Sequence, residues 1–195
     1  MNSINALGRI DLEPRDAQDV VSTLDQFLKD QNPDIRAETV TAIGHIGTKD
    51  ESIILKIAEL SEKDEFYDIR RRATFALAWL SPEKGTPALL KLLETEIEIN
   101  SIRPDEEKDP GTICSIARAL GKIGPEAKDA IPAMIDLLVR YGEDSSVVQS
   151  AAIALGGIGP AAKDSVPILL KLLEGGEFIG RTKERIETAL QKIQN

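Results

Sequence analysis

The chain is short of the residues from which metal centres and nucleophilic active sites are usually built. Its 195 residues include one cysteine, Cys114, and one histidine, His45. A single thiol closes no internal disulfide, which fits a reducing compartment and predicts a cytoplasmic protein. Two such ligands fall short of the roughly four that a structural zinc site takes, so no metal and no cofactor is expected. Aromatic residues make up only 4% of the chain, and β-branched runs are sparse beside its Ala, Leu, Ile, Lys and Glu; that balance favours helix over sheet. Positive charge is also in deficit. With 24 Lys and Arg against 33 Asp and Glu the net charge is −9 and the pI about 4.8, a field that repels phosphate backbones and anionic headgroups. Neither nucleic acid nor membrane is expected as a partner. No apolar run approaches the roughly 20 residues of a membrane helix, and MNSINALGRIDLEPRD has no basic segment leading into an apolar stretch, so a soluble protein is expected.

What the chain does have is self-similarity. AIGHIG at 42–47, ALAWLS at 76–81, ALGKIG at 119–124, ALGGIG at 154–159 and ALQKIQ at 189–194 align without gaps, their starts 34, 43, 35 and 35 residues apart. A further copy, ALGRI at 6–10, lies 36 residues before Ala42. Upstream of each full copy stands a second apolar pattern, as in TPALLKLL at 86–93, IPAMIDLL at 131–138 and VPILLKLL at 166–173. Both patterns return at three and four residues, the spacing of a buried helical stripe. Each unit therefore reads as helix A, turn, helix B. Pro33-Asp34 and the pairs Gly124-Pro125 and Gly159-Pro160 mark ends and turns. Pro87, Pro132 and Pro167 share one column of helix A, tolerable near a first turn and bending elsewhere.

These residues carry a resemblance. Asp34-Ile35-Arg36 followed by Ala42-Ile43-Gly44, Asp68-Ile69-Arg70 followed by Ala76-Leu77-Ala78, and the linkers GPEAKDAIPA and GPAAKDSVPI resemble the HEAT repeat family, in the bacterial variant of HEAT-like or phycobilisome-lyase-like repeats. The resemblance implies an all-α, right-handed α-solenoid of the armadillo-like kind. It implies a single HEAT-repeat domain over 1–195, with a partial repeat at 1–13 and repeats at 14–47, 48–81, 82–124, 125–159 and 160–195. One unit departs from the period: ETEIEINSIRPDEEKDP at 94–110 lengthens its A-to-B connection by about ten residues. It reads as a solvated acidic loop or a partner-specific contact. Gln191 and Gln194 replace glycines of earlier copies and read as a polar capping end. The incomplete first unit, through its apolar face at 4–10, is expected to cap the stack or to mediate self-association.

Aligning the B helices separates core from surface. Ile35, Ile69 and Val147 head a core column, continued by Ala42, Ala76, Ala119, Ala154 and Ala189 and then by Ile46, Leu80, Ile123, Ile158 and Ile193. Gly44, Gly121 and Gly156 share a column where a missing side chain lets helices approach closely. A further stripe is read outward at four-residue intervals: Ala37/Thr41/His45, Arg71/Phe75/Trp79, Cys114/Arg118/Lys122, Gln149/Ile153/Gly157 and Glu184/Thr188/Lys192. From it and the neighbouring Arg72 the partner-binding candidates are Thr41, His45, Arg71, Arg72, Phe75, Trp79, Arg118, Lys122 and Ile153. Phe75 and Trp79 beside two arginines are the residue types that anchor protein interfaces; the competing reading packs Trp79 into the next hairpin as core.

No catalytic residue is identified. Cys114 and His45 lie two repeats apart, on the order of 20 Å at ordinary helix spacing, too far for a dyad. ALGGIGPAAKDS follows a helix and lacks the spacing of a phosphate loop. Arg70, Arg71 and Arg72 point in three directions around a helix and form no basic patch. The expected function is a non-enzymatic scaffold or adaptor gripping a protein by the concave B-helix face. The resemblance supplies two alternatives, a phycobilin-lyase-like subunit or chaperone acting on a chromophore protein, and a HEAT-like nucleic-acid-binding protein.

Overall fold

A computed structural model describes residues 14–104, 110–175 and 178–195, and among them every regular element is helical. In chain order α1 spans Pro14–Leu24, α2 Pro33–Ile46, α3 Glu51–Lys63, α4 Tyr67–Leu80, α5 Pro82–Ile102, α6 Gly111–Ile123, α7 Ile131–Arg140, α8 Ser145–Ile158, α9 Val166–Glu174 and α10 Arg181–Gln194. Tight 3-10 segments occupy Asp25–Lys29, Gly124–Ala130 and Gly159–Ser165. Odd-numbered helices are the A helices and even-numbered ones the B helices. The chain gathers into two compact units that part between Ala88 and Leu89, inside α5. The fold is an all-α solenoid: in the first unit α2 lies against α4, and in the second α6 lies against α8 and α8 against α10.

Local chemistry sets the helix ends. The side chains of Asn32, Asp50 and Asp144 accept hydrogen bonds from the backbone N–H groups of Asp34, Ser52 and Ser146 at 2.9, 2.9 and 2.8 Å, satisfying donors that the first turns of α2, α3 and α8 leave orphaned. At the other end α6 and α8 stop on Gly124 and Gly159, with φ of +81° and +80°, a backbone region costly for any side chain.

The B helices meet through a repeating seat. A methyl group placed on Gly44 falls 2.8 Å from the Cβ of Ala76, one on Gly121 falls 2.7 Å from the Cα of Ala154, and one on Gly156 falls 2.9 Å from the Cα of Ala189. The glycine column of one B helix thus sits on the alanine column of the next. At α8 the approach is tighter still, for a methyl on Gly157 falls 2.2 Å from the carbonyl oxygen of Gly121. Around these seats the core is aliphatic. Ile43, Ile53, Ile57 and Leu77 pack in the first unit; Ile116, Leu137, Val147 and Leu155 are fully buried in the second. Ile35 is only half-buried, unlike Ile69 and Val147, although all three sit in the first turns of their helices.

The stretch Ser145–Glu174 is long and apolar enough to cross a membrane by composition. It is not one straight helix: between α8 and α9 it runs through the Gly159–Ser165 segment, where Ala162 leaves helical geometry at φ −84°, ψ 17°. Of its apolar side chains Val148, Ala152 and Leu155 are buried, while Ile153 and Leu170 are exposed.

Two expectations are corrected. The segment from Glu94 to Ile102 is not a loop: α5 continues through it for 21 residues in all. Its buried stripe runs Leu89, Leu93, Glu96, Asn100, so the helix carries polar groups into the interior while Ile102 stands 79% exposed. Pro104 follows two residues later and forbids further helix. Residues 105–109 lie outside the described residues, as does the ALGRI copy on which the expectation of self-association rests. Pro132 and Pro167 do lie in the first turns of α7 and α9, whereas Pro87 stands inside α5.

Candidate functional site

In the first unit the predicted residues come together across the α2–α4 pair. The ring of His45 stacks on the indole of Trp79, with centroids 6.0 Å apart and planes inclined by 23°. Trp79 remains 44% exposed, and His45 is exposed as well, so the indole is a surface group and the reading that buries it in the core is excluded. One turn earlier on α4, Phe75 is half-buried. Another turn back, Arg72 donates to Thr41 Oγ1 at 3.1 Å and lies 3.8 Å from Glu38.

The arginine triplet is spoken for. Asp68 accepts from Arg71 and from Arg72, each at 2.7 Å. Arg70 turns away, donating to the carbonyls of Asp64 and Glu65 and lying over the ring of Tyr67 at 5.6 Å. Partial burial tends to raise the Asp68 carboxyl, but the hydrogen bonds and charges of Arg71 and Arg72 outweigh it and hold the group below its usual range. The result is an aromatic pair beside two guanidiniums whose geometry is set before any partner arrives.

Arg36 does for α2 what Arg70 does for α4. It reaches back to the carbonyls of Asp30 and Gln31, grips Asp64 with two hydrogen bonds of 2.9 and 3.1 Å, and lies 5.7 Å from the centre of the Phe66 ring. Arg36 and Asp64 are both nearly buried. The hydrogen bonds that Arg36 donates to Asp64 raise the guanidinium above its ordinary value; Asp64 itself is pushed up by burial but pulled further down by Arg36, the Phe66 N–H and Arg70. The same column in the second unit is filled by Ile113 and Val148, both fully buried, and by the exposed Lys183. A cleft of about 620 Å³ opens beside this pair, lined by Lys29, Lys56, Lys63, Glu59 and Glu65 among others. Lys56 there is bound to Asp25 and Lys63 to Glu59, so the wall is one of matched charges.

In the second unit Arg118, Lys122 and Ile153 are exposed. Arg118 lies 3.2 Å from Ser150 Oγ, tying α6 to α8. Set on the repeat, this tie uses the same two columns as Thr41 and Arg72, with the arginine on the opposite helix. Gln149 donates to Thr182 at 2.9 Å and ties α8 to α10. Not all of the outward stripe faces out: Ala37 and Cys114 are buried, at 7% and 2% exposure. A stripe read every fourth residue turns about 40° per step around a helix of 3.6 residues per turn, which carries Ala37 on α2 and Cys114 on α6 into the core, while Arg71 and Gln149 at the same position stay half-buried and Glu184 exposed. Asp68 and Glu38 are not among the residues that the column alignment selects. The signal for Asp68 lies in its spacing, three and four residues before Arg71 and Arg72, where helical ion pairs form.

Among the described residues no group of three His, Cys, Asp or Glu side chains gathers where a metal could sit. No curated protein matches the chain. The family model for the PBS lyase HEAT-like repeat matches residues 69–95, which include Phe75 and Trp79. That for HEAT repeats matches residues 105–191. Hairpins in file, a recurrent Gly-on-Ala seat and these two matches lead to one assignment: the chain belongs to the HEAT repeat family.

Proposed function

We propose that this protein is a non-enzymatic scaffold that binds a protein partner through its B-helix face, with His45, Phe75 and Trp79 as the anchor. The observation that carries the reading is the half-exposed indole stacked on His45 beside Arg71 and Arg72. Large side chains held in one geometry lose little freedom on binding, and Trp and Arg dominate interface energetics. Arg118, Lys122 and Ile153 are the corresponding contacts of the second unit. The test is a pull-down from the source lysate with wild type and a Phe75→Ala/Trp79→Ala variant, followed by affinity measurement on the partner recovered. Loss of binding in a variant that keeps its helical circular dichroism supports the reading. Retained affinity rejects it.

The match of residues 69–95 to a PBS lyase HEAT-like repeat favours one further reading, a subunit or chaperone acting on a bilin chromophore protein. It is separated from the first by adding a bilin to the purified chain. A shift in the visible absorption of the pigment favours it, and an unchanged spectrum counts against it.

A further inference from the structure

The second unit carries a groove on its A helices, remote in sequence from the His45–Trp79 pair. It lies between α5 and α7 and has a volume of about 520 Å³. Leu90, Leu93 and Ile97 from α5 and Pro132 and Ala133 from α7 give it an apolar floor. Leu90, Ile97 and Ala133 are only half-buried, so the floor is open to a ligand. The rim is acidic: Glu94 and Glu98 stand one turn apart on α5, and Asp136 faces from α7. Among the described residues Arg140 is the one cation lining the groove, and Asp136 already holds it at 2.5 Å.

We propose that this groove docks a basic amphipathic helix of a partner protein. Over the buried Leu93 its floor presents Leu90 and Ile97, two turns apart along α5, with Ala133 from α7 beside them, a strip that the apolar face of an incoming helix complements. Glu94 and Glu98 leave a net negative rim, against which lysine or arginine side chains lay their aliphatic stems on the walls and their charges on the carboxylates. The same charge turns away nucleic acid and acidic peptides.

The test uses the full chain and two labelled helical peptides that share a leucine stripe, one flanked by lysines and the other by glutamates, with binding followed by fluorescence anisotropy. The lysine peptide saturates the protein, its affinity falls with added salt, and the glutamate peptide does not bind. Glu94→Lys/Glu98→Lys weakens binding by roughly tenfold or more while the melting temperature holds. If that variant does not fold, Glu94→Gln/Glu98→Gln takes its place with a smaller loss expected. Glu126→Lys/Glu143→Lys makes the same change of net charge at sites outside the groove and leaves affinity unchanged, as does Phe75→Ala/Trp79→Ala in the first unit. No saturable binding of the lysine peptide, equal binding of both peptides, or equal weakening by the Glu126/Glu143 control overturns the proposal.

Discussion

A methyl group added to Gly121 falls 2.7 Å from the Cα of Ala154, so the two B helices touch backbone to backbone. Replacing glycine by alanine inside a helix ordinarily gains about 1 kcal/mol. Here the neighbour in the way is main chain and cannot swing aside, and overpacking of this kind costs about 1–3 kcal/mol. Gly121→Ala is therefore destabilising, read as an earlier urea midpoint. Gly175→Ala is the control: its φ is −61° and the added methyl meets nothing nearer than 3.6 Å, so it is neutral or stabilising by up to about 1 kcal/mol.

Asp64 and Arg36 make the first unit sensitive to acid. The folded-state carboxyl of Asp64 lies below its usual value, so its contribution is complete above the unfolded pKa of about 4 and is lost as pH falls through the folded value. Urea titrations of the wild type should show stability declining below about pH 4. Asp64→Asn should flatten that decline and, by removing the carboxylate that accepts two of the Arg36 hydrogen bonds while those to Asp30 and Gln31 remain, cost about 1.5–3 kcal/mol near neutrality. An Asp64→Asn protein with the wild-type acid slope would falsify this assignment.

His45→Ala uncovers one face of Trp79. The chain has a single tryptophan, so its emission reports this contact alone. A changed spectrum with a stability loss below about 1.5 kcal/mol is expected for a surface ring pair. An unchanged spectrum means the rings are apart in solution.

Duplex DNA should not be retained on a filter even at low salt. Arg70, Arg71 and Arg72 are each committed to partners within the chain, and the net charge is −9. Tight retention that salt abolishes contradicts this.

The helices and their seats are legible in the sequence because the repeat writes them several times over. The shared column of Gly44, Gly121 and Gly156 predicts close approach, and each of the three meets an alanine of the adjoining B helix. The extension of α5 is not legible, since hydrophobic periodicity finds a buried face by its apolar residues and this helix inverts the code: Glu96 and Asn100 are inside and Ile102 outside. At the site the His45–Trp79 neighbourhood follows from a shared column. The clamping of Arg71 and Arg72 by Asp68 does not, because that pairing runs along one helix and leaves no trace in a comparison between helices. Cys114 and Ala37 fall inside, against expectation, through the slow rotation of a four-residue stripe.

The Gly-on-Ala seat also bears on how such a chain changes over generations. A joint made of bare backbone and a methyl recognises shape and not chemistry, so a hairpin bearing glycine in one column and alanine two places before it suits whichever hairpin carries the same signature. Duplication of a whole hairpin then demands no fresh matching of partners at the seam, and the side chains on either face are left to diverge.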